Sequence, residues 1–251
     1  MPHDELTYEQ RDRAESFGAV AAAYDTFRRS YPGQLVDDLM ASRPADVLDI
    51  GCGTGKAARL FAERGARVLG VEIDAGMATV ARGHGLTVEV AGFEQWDDRG
   101  RRFDLITCAQ AWHWVNPAVA APKAARLLTP GGTLALFWNI DELAPDVWAV
   151  VEGVYRQVAP ELVKPRDTGD DQTHLRALQA AGAFGSVEAV TYPGDRVWSI
   201  DQWIGNVGTQ SNHLLLGPRL PAVLDALRTA LTGWRGQLRT TGGTYLIRAQ
   251  V

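Results

Sequence analysis

Cysteine is scarce in this 251-residue chain: there are two, Cys52 and Cys108, and neither belongs to a Cys-x-x-Cys or Cys/His cluster. That excludes a readable zinc site. So few thiols suit a reducing cytoplasm better than a disulfide scaffold. Long apolar runs are missing as well; none approaches the ~20 residues that a membrane helix needs, so no membrane partner is expected. The first residues, Met-Pro-His-Asp-Glu, are polar and acidic with no apolar run behind them, which argues against a secretory signal and for a cytoplasmic protein. Nor is there a basic stripe. Only short pairs such as Arg28-Arg29 and Arg101-Arg102 occur, and the formal net charge is -5. A protein that grips phosphate backbones carries such a stripe, so nucleic acid is not an expected partner. Oligomeric state is not legible.

What is present points to a globular α/β chain. Hydrophobic residues make up 46% and charged residues 22%, which excludes extensive disorder. Residues 1–16 lack periodicity and read as a loose arm, or a helix ordered by its contacts. Apolar spacing predicts helices from Phe17 to Tyr31 and from Leu35 to Met40. Short apolar runs then predict strands at 46–50, 67–72, 86–90, 103–108 and 133–138. Between the strands lie helical patterns at 57–64, 75–82 and 119–128. Strands alternating with helices mean βαβ units and a parallel sheet, with the ligand at the strands' C-terminal ends. After Asn139 the rhythm breaks. A helix at 147–158, a polar loop at 160–170 and a helix around Leu175 and Leu178 precede strands at 187–192 and 243–249. Between those strands, 200–234 reads as largely helical.

The central motif is Val47-Leu-Asp-Ile-Gly51-Cys-Gly53-Thr-Gly55-Lys56. Alternating glycines at a strand-to-helix turn permit positive φ and let the backbone approach a ligand closely. Asp49 can accept hydrogen bonds from that ligand or orient the loop. A P-loop needs GxxxxGK[ST], but Ala57 follows Lys56 and Ile50 stands where the first glycine belongs, so that reading fails and Lys56 reads as a solvated helix residue. The dinucleotide fingerprint GxGxxG is weakened, because the spacing here is GxGxG. Glu72 closes the second strand, where a carboxylate can accept from both hydroxyls of a ribose. That geometry serves an adenosine in more than one cofactor.

Four segments in order resemble one family. Val47-Leu-Asp-Ile-Gly-Cys-Gly-Thr-Gly55 looks like the first motif of class I S-adenosylmethionine-dependent methyltransferases. Gly70-Val-Glu-Ile-Asp-Ala-Gly-Met77 is similar to their second-strand motif. Phe103-Asp-Leu-Ile-Thr-Cys-Ala-Gln-Ala-Trp-His-Trp114 resembles the fourth strand and following loop of the methyltransferase type 11 group. Leu127-Leu-Thr-Pro-Gly-Gly-Thr-Leu134 is similar to the turn before their fifth strand. Tyr24-Asp25, Arg28 and Tyr31-Pro32 resemble the entry segment of one branch, with Arg29 where that branch often has proline. The segments around Trp198 to Leu216 and Thr244 to Arg248 are similar to its C-terminal part. That branch includes enzymes methylating small acids and natural products.

The resemblance implies a Rossmann-like, seven-stranded, mostly parallel sheet with helices on both faces and a helical lid inserted before the last strand. Residues 1–45 would form an N-terminal helical cap, 46–140 the S-adenosylmethionine-binding core, and 141–251 a C-terminal part completing the sheet. It also implies roles. Gly51, Gly53 and Gly55 would pass beside the cofactor, Glu72 hold its ribose, and Ile73 and Met77 pack on its adenine. Gly92-Phe93-Glu94 falls where the family often has Asp-Ala-Glu; the Phe93 N–H can reach a ring nitrogen, and the partner of the adenine amino group stays open. Ala109 and Gln110 would lie near the methionine moiety, with Tyr24 and Arg28 closing over it and Arg28 pairing its carboxylate; a surface arginine is the other reading of Arg28.

His113, beside the expected methyl donor, is the candidate general base or orienting group, or a packed loop residue. Trp112 and Trp114 would shield a sulfonium or pack in the core. The acceptor side would come from residues 140–235, with Trp198, Trp203, Ser211, Asn212 and His213 as candidates. The expected function is methyl transfer from S-adenosylmethionine to a small molecule, without a metal. A nicotinamide-dependent oxidoreductase and a non-catalytic binder of S-adenosylmethionine are the alternatives.

Overall fold

A computed structural model of the chain describes residues 17–163, 172–234 and 237–251. The predicted arm at 1–16 and the part of the predicted polar loop from 164 to 170 lie outside the described residues. The chain enters through a single 3-10 turn, Phe17–Val20, and helix α1, Ala21–Phe27. The predicted helix ran on to Tyr31. It stops instead at Arg28, which is extended (φ -67°, ψ 138°). Pro32 disfavours helical backbone just before it, and the Arg28 side chain is held by a distant loop. Helix α2 (Gly33–Met40) follows and buries Leu35, Val36 and Leu39.

The core alternates as expected: β1 (Asp46–Ile50), α3 (Lys56–Ala62), β2 (Arg67–Glu72), α4 (Ala75–Gly83), β3 (Thr87–Val90), β4 (Phe103–Ala109), α5 (Pro117–Leu127) and β5 (Leu128–Leu143). The remainder is α6 (Pro145–Val158), α7 (Gln172–Ala180), β6 (Ser186–Pro193), β7 (Arg196–Ser199), α8 (Ile200–Val207), α9 (Ser211–Leu214), α10 (Leu220–Leu231) and β8 (Gln237–Gln250). The strands lie in the order β3-β2-β1-β4-β5-β8-β6, with β7 paired to β8 off this path. The pairs from β3 to β5 are parallel; β8 runs antiparallel to β5, β6 and β7. The sheet is therefore Rossmann-like and mostly parallel, with one strand more than the seven expected. The added strand, β7, is four residues long and edges the β8 ribbon. Too short to show a strand period, it has no signature in the sequence.

Two other differences share one cause. β5 was expected over 133–138 and β8 over 243–249, yet the two pair continuously from Thr133↔Gln250 to Leu143↔Thr240. An antiparallel partner extends both strands past the sheet proper. The protruding ribbon carries a second apolar core, drawn from residues between Leu143 and Leu238 and centred on Val151, Trp198, Leu227 and Leu231. The main sheet buries Leu48, Ile106, Leu134 and Ile247 on one face and Val47, Leu105, Phe137 and Leu246 on the other. Successive strand residues point to opposite faces, so strands buried on both sides read as continuous apolar runs. Among the described residues, no helix is long and apolar enough to cross a membrane.

The chain runs outward from β1 to β3 and then returns to β4 on the other side of β1. The C-terminal ends of β1 and β4 thus flank a topological switch point, where such sheets leave a crevice.

Candidate functional site

A cleft of about 320 Å³ opens at this switch point. Its floor begins at Ile50, Gly51 and Gly53, just past β1. Gly51 (φ 62°) and Gly53 (φ 55°) turn the chain in the left-handed region that glycine tolerates. A Cβ on Gly51 would come within 2.6 Å of the Ala111 Cβ, whereas one on Gly53 would meet no protein atom within 4 Å. Gly53 is therefore a bare stretch of cleft wall, the kind of surface against which a ligand lies closely. Gly55 (φ 84°) is different. It does not line the cleft, and its Cβ would fall 2.3 Å from the Leu86 Cδ1. It lets α3 pack on the loop before β3, a correction to its expected place beside the ligand.

Glu72 organises the same loop. Gly53 N–H donates to its Oε2 at 2.7 Å and Asp74 N–H to its Oε1 at 2.9 Å. Each carboxylate oxygen keeps a second lone pair for a diol. Burial holds the Glu72 carboxyl above its usual range, against backbone donors at Asp74, Gly53 and Ile73 that lower it. Ile73 and Met77 line the wall beside it. Met77 sits in the first turn of α4, which Asp74 caps by accepting from Gly76 and Met77 N–H.

Ala91, Gly92, Phe93 and Glu94 form the next wall. Lys123 holds this loop from behind, donating to the carbonyls of Phe93 (2.8 Å), Glu94 (3.3 Å) and Trp96 (2.6 Å). Glu94 Oε1 accepts from Asn116 N–H, so its carboxylate braces the start of α5. Nothing in the sequence singled out Lys123. We expect Lys123→Met to leave a foldable chain but to weaken adenosine binding by roughly tenfold, since three carbonyls lose one shared donor. Titration calorimetry with adenosine and S-adenosylhomocysteine checks this; unchanged affinity for both would remove the bracing role.

Across the cleft, Ala109, Gln110 and Ala111 close β4. Gln110 has φ 60°, which is rare for a residue with a side chain, and its N–H donates to Phe137 O at 2.9 Å. Such strain persists where the surroundings overdetermine it, commonly at functional sites. The 3-10 turn Trp112–Trp114 then splits its side chains. His113 and Trp114 line the cleft, while Trp112 is 1% exposed within the core and its Nε1–H has no hydrogen-bond partner. Trp112 is thus no part of the lining, because a three-residue turn points successive side chains about 120° apart.

The cap closes the top. Phe17 meets Tyr24 and Trp114 edge to face, and Tyr24 and Arg28 face the cleft. Burial pushes the Tyr24 hydroxyl up. Four contacts anchor the cap, none of them legible from spacing. Gly18 N–H donates to Asp74 at 2.7 Å. Lys56 is not solvated as expected but donates to the Asp25 carbonyl at 2.6 Å. The Asp25 carboxylate takes Arg59 at 3.0 Å and His84 at 2.9 Å. Burial alone would raise the Asp25 carboxyl; His84 and the nearby cations bring it below its usual range.

From the C-terminal part, Gln210, Ser211 and Asn212 reach the cleft. Trp198, Trp203 and His213 do not line it. Trp198 and Trp203 fill the second core, where Trp198 Nε1–H donates to Thr240 at 3.0 Å. Their large apolar area is spent on packing the ribbon and helices together. His213 is 3% exposed and turns away, towards α6. Asp49 also lies behind the loop rather than in the cleft. Its Oδ1 accepts from Thr107 at 2.6 Å and its Oδ2 has no partner. Burial pushes it from 3.8 to about 7, with Glu72 adding to the rise and Thr107 opposing it. The two cysteines are buried, and burial pushes both thiols well up, so neither is a nucleophile.

The Asp49 shift has a sign. Between about pH 4 and pH 7 the folded chain holds a proton that the unfolded chain has released, so stability falls as pH rises. The stabilisation is complete below that window and gone above it, with a slope of at most about 1.4 kcal/mol per pH unit. Asp49→Asn should flatten that part of the curve and raise the melting temperature at pH 8. Circular-dichroism melts from pH 4 to 8 check it; an equally steep variant would count against the assignment.

A family model described as a methyltransferase domain matches residues 48–136. An uncharacterized methyltransferase of Mycobacterium tuberculosis is 41% identical over 138 residues, which are 53% of this chain and 56% of that protein. The chain thus spans about half the length of the mycobacterial relatives that it matches. Among solved structures, a candidate type II methyltransferase from Anaeromyxobacter dehalogenans superposes with a TM-score of 0.65 at 25% identity, covering 89% of this chain and 98% of that one. The phosphoethanolamine N-methyltransferase 2 of Haemonchus contortus, solved with phosphomonomethylethanolamine and S-adenosylhomocysteine, shares the fold. Its TM-score is 0.55 at 16% identity, over 100% of this chain and 61% of that one.

Proposed function

We propose that the chain is a class I S-adenosylmethionine-dependent methyltransferase, a reading supported by the methyltransferase-domain match and the similar methyltransferases, and that it binds S-adenosylmethionine in this cleft and transfers the methyl group to a small-molecule acceptor. One observation carries the reading. A bare glycine wall at Gly53 stands beside a buried carboxylate, Glu72, whose oxygens each keep a lone pair. That pair of features fits an adenosine: backbone against the sugar's face, carboxylate on its two hydroxyls. Ile73, Met77 and Phe93 supply an apolar slot for a purine. The bound cofactor supplies a methyl group already activated on a sulfonium.

The protein's own work is then alignment and exclusion of water. Phe17, Tyr24 and Trp114 roof the cleft with aromatic faces, which attract a cation while keeping water out. His113 faces the cleft, stacked obliquely on Trp114 at 4.9 Å, and would take a proton from an acceptor that must lose one. The small cleft, about 320 Å³, and the net charge of -5 favour a small acceptor over a nucleic acid. The N-terminal cap and the C-terminal helices would enclose it as separate lids on the core.

Titration calorimetry with S-adenosylhomocysteine tests the binding half: saturable binding is expected, and none would sink the proposal. A parallel titration with NADH is expected to show nothing. Incubation with methyl-labelled S-adenosylmethionine and a metabolite extract tests transfer. A labelled small molecule is the expected result. Cofactor binding without any labelled product would point instead to a binding protein.

A further inference from the structure

The cap helix α1 cannot hold its own position. It has seven residues, buries only Ala21 and has no side-chain cap at its start. A helix that short is marginal by itself and takes its stability from what it packs against. Gly18 and Asp25 tie it to the core. Its exit, Phe27 and Arg28, rests on a different body, the C-terminal part.

Helix α8 is the firm side of that seam. Ser199 and Gln202 close a capping box at its start, and Trp203, Ile204 and Val207 are buried in the second core. Gly205 faces the cap. A Cβ there would lie 2.5, 2.5 and 2.6 Å from Cδ1, Cγ and Cδ2 of the Phe27 ring. The ring is thus seated directly on the helix backbone, where only glycine leaves room. Glycine inside a helix costs stability, and this contact gives the reason for it here.

Just past the helix, Thr209 is 1% exposed. Its hydroxyl donates to Asn206 O at 2.8 Å, which leaves the hydroxyl oxygen free to accept. Arg28 engages both oxygens of Thr209. Its Nε donates to Oγ1 and a terminal nitrogen to the carbonyl, each at 2.9 Å. The guanidinium also lies over the Tyr24 ring, 5.0 Å from its centroid. A planar fork held at two points keeps one orientation. Tyr24 and Arg28 line the cleft, whereas Phe27, Gly205 and Thr209 do not.

We infer that Gly205 and Thr209 are positioning residues, through which the second core sets Tyr24 and Arg28 over the amino-acid tail of the cofactor. This rests on the methyltransferase reading and adds the seam at which the two lids meet. The C-terminal helices then govern cofactor affinity from positions outside the cleft. Thr209 leads directly into Gln210, Ser211 and Asn212, so the same contact ties the cofactor's tail to another stretch of cleft wall.

Titration calorimetry with S-adenosylhomocysteine and with 5′-methylthioadenosine, which has no amino-acid tail, tests this on wild type, Thr209→Val, Thr209→Ser and Gly205→Ala. Thr209→Val keeps the shape and removes the hydroxyl; Thr209→Ser keeps the hydroxyl. Gly205→Ala favours the helix itself while displacing Phe27. Thr209→Val and Gly205→Ala should each bind S-adenosylhomocysteine roughly tenfold more weakly, the scale of one hydrogen bond to a charged group. Affinity for 5′-methylthioadenosine should stay within about twofold in every variant, and Thr209→Ser should match wild type for both ligands. Adding Phe27→Leu to Gly205→Ala makes room for the new methyl group and should recover part of the loss.

Equal losses for the two ligands would mean a general loosening of the fold and overturn the inference. So would wild-type affinity for S-adenosylhomocysteine in either variant that thermal melts show to be folded, or a Thr209→Ser as weak as Thr209→Val. If Gly205→Ala does not fold, the two Thr209 variants decide the matter. Failure of wild type to bind S-adenosylhomocysteine is a different result, which removes the methyltransferase reading itself.

Discussion

Glu72→Ala loses both S-adenosylhomocysteine and 5′-methylthioadenosine, each by roughly 10²- to 10⁴-fold, because both keep the ribose and each hydroxyl loses a charge-assisted bond worth about 1.5–3 kcal/mol. Equal loss for the two ligands is the informative part, since it places the carboxylate on the sugar. Part of the effect passes through the loop: the variant also strips the Gly53 and Asp74 N–H groups of their acceptor. Glu72→Gln separates the contributions. Its amide oxygen still accepts from one N–H, while its amino group faces the other donor, so affinity falls to an intermediate value. Titration calorimetry reads all three proteins. Wild-type affinity in Glu72→Ala would mean that the cleft holds no ribose.

The second large effect comes from two glycines two residues apart. Gly53→Ala places a methyl group on the cleft wall, where no protein atom lies within 4 Å. Its cost to folding is the left-handed backbone alone, about 1–2 kcal/mol. Affinity for S-adenosylhomocysteine should fall by about tenfold to a hundredfold, because the methyl occupies space against which the ligand packs. Gly55→Ala should do the reverse. Its methyl points 2.3 Å from the Leu86 Cδ1, at φ 84°. Backbone strain and overpacking together cost about 2–4 kcal/mol, or roughly 4–16 °C in melting temperature for a chain of this size. Affinity in the fraction that stays folded should be near wild type. Thermal melts paired with titrations decide it, and matching behaviour of the two variants would refute the division of labour.

That contrast shows where reading residues in order runs out. GxGxG is plain on the page, and so is a strand-end acid; the motif places three glycines at one turn. It does not say which of them faces a ligand and which faces a helix. The direction of each missing Cβ depends on what the folded chain has brought alongside: Ala111 for Gly51, Leu86 for Gly55, open cleft for Gly53. Trp198 and Trp203 tell the same story from the other side. Aromatic residues in a segment expected to cover the acceptor suggest a pocket wall, but long-range pairing of β5 with β8 built a second core that claimed them.

Local chemistry, then, was decided by the order of residues: alternating strands and helices, a glycine turn after the first strand, and an acid after the second. Those features depend on neighbours a few positions apart, so they survive in one dimension. Tertiary contact decided the rest. The Lys123 brace spans 27 to 30 positions, Arg28 meets Thr209 across 181, and Tyr155 meets His213 across 58. Hydrogen bonds between such distant groups leave no periodic trace, because their geometry exists only after the sheet has brought the two ends of the chain to one cleft.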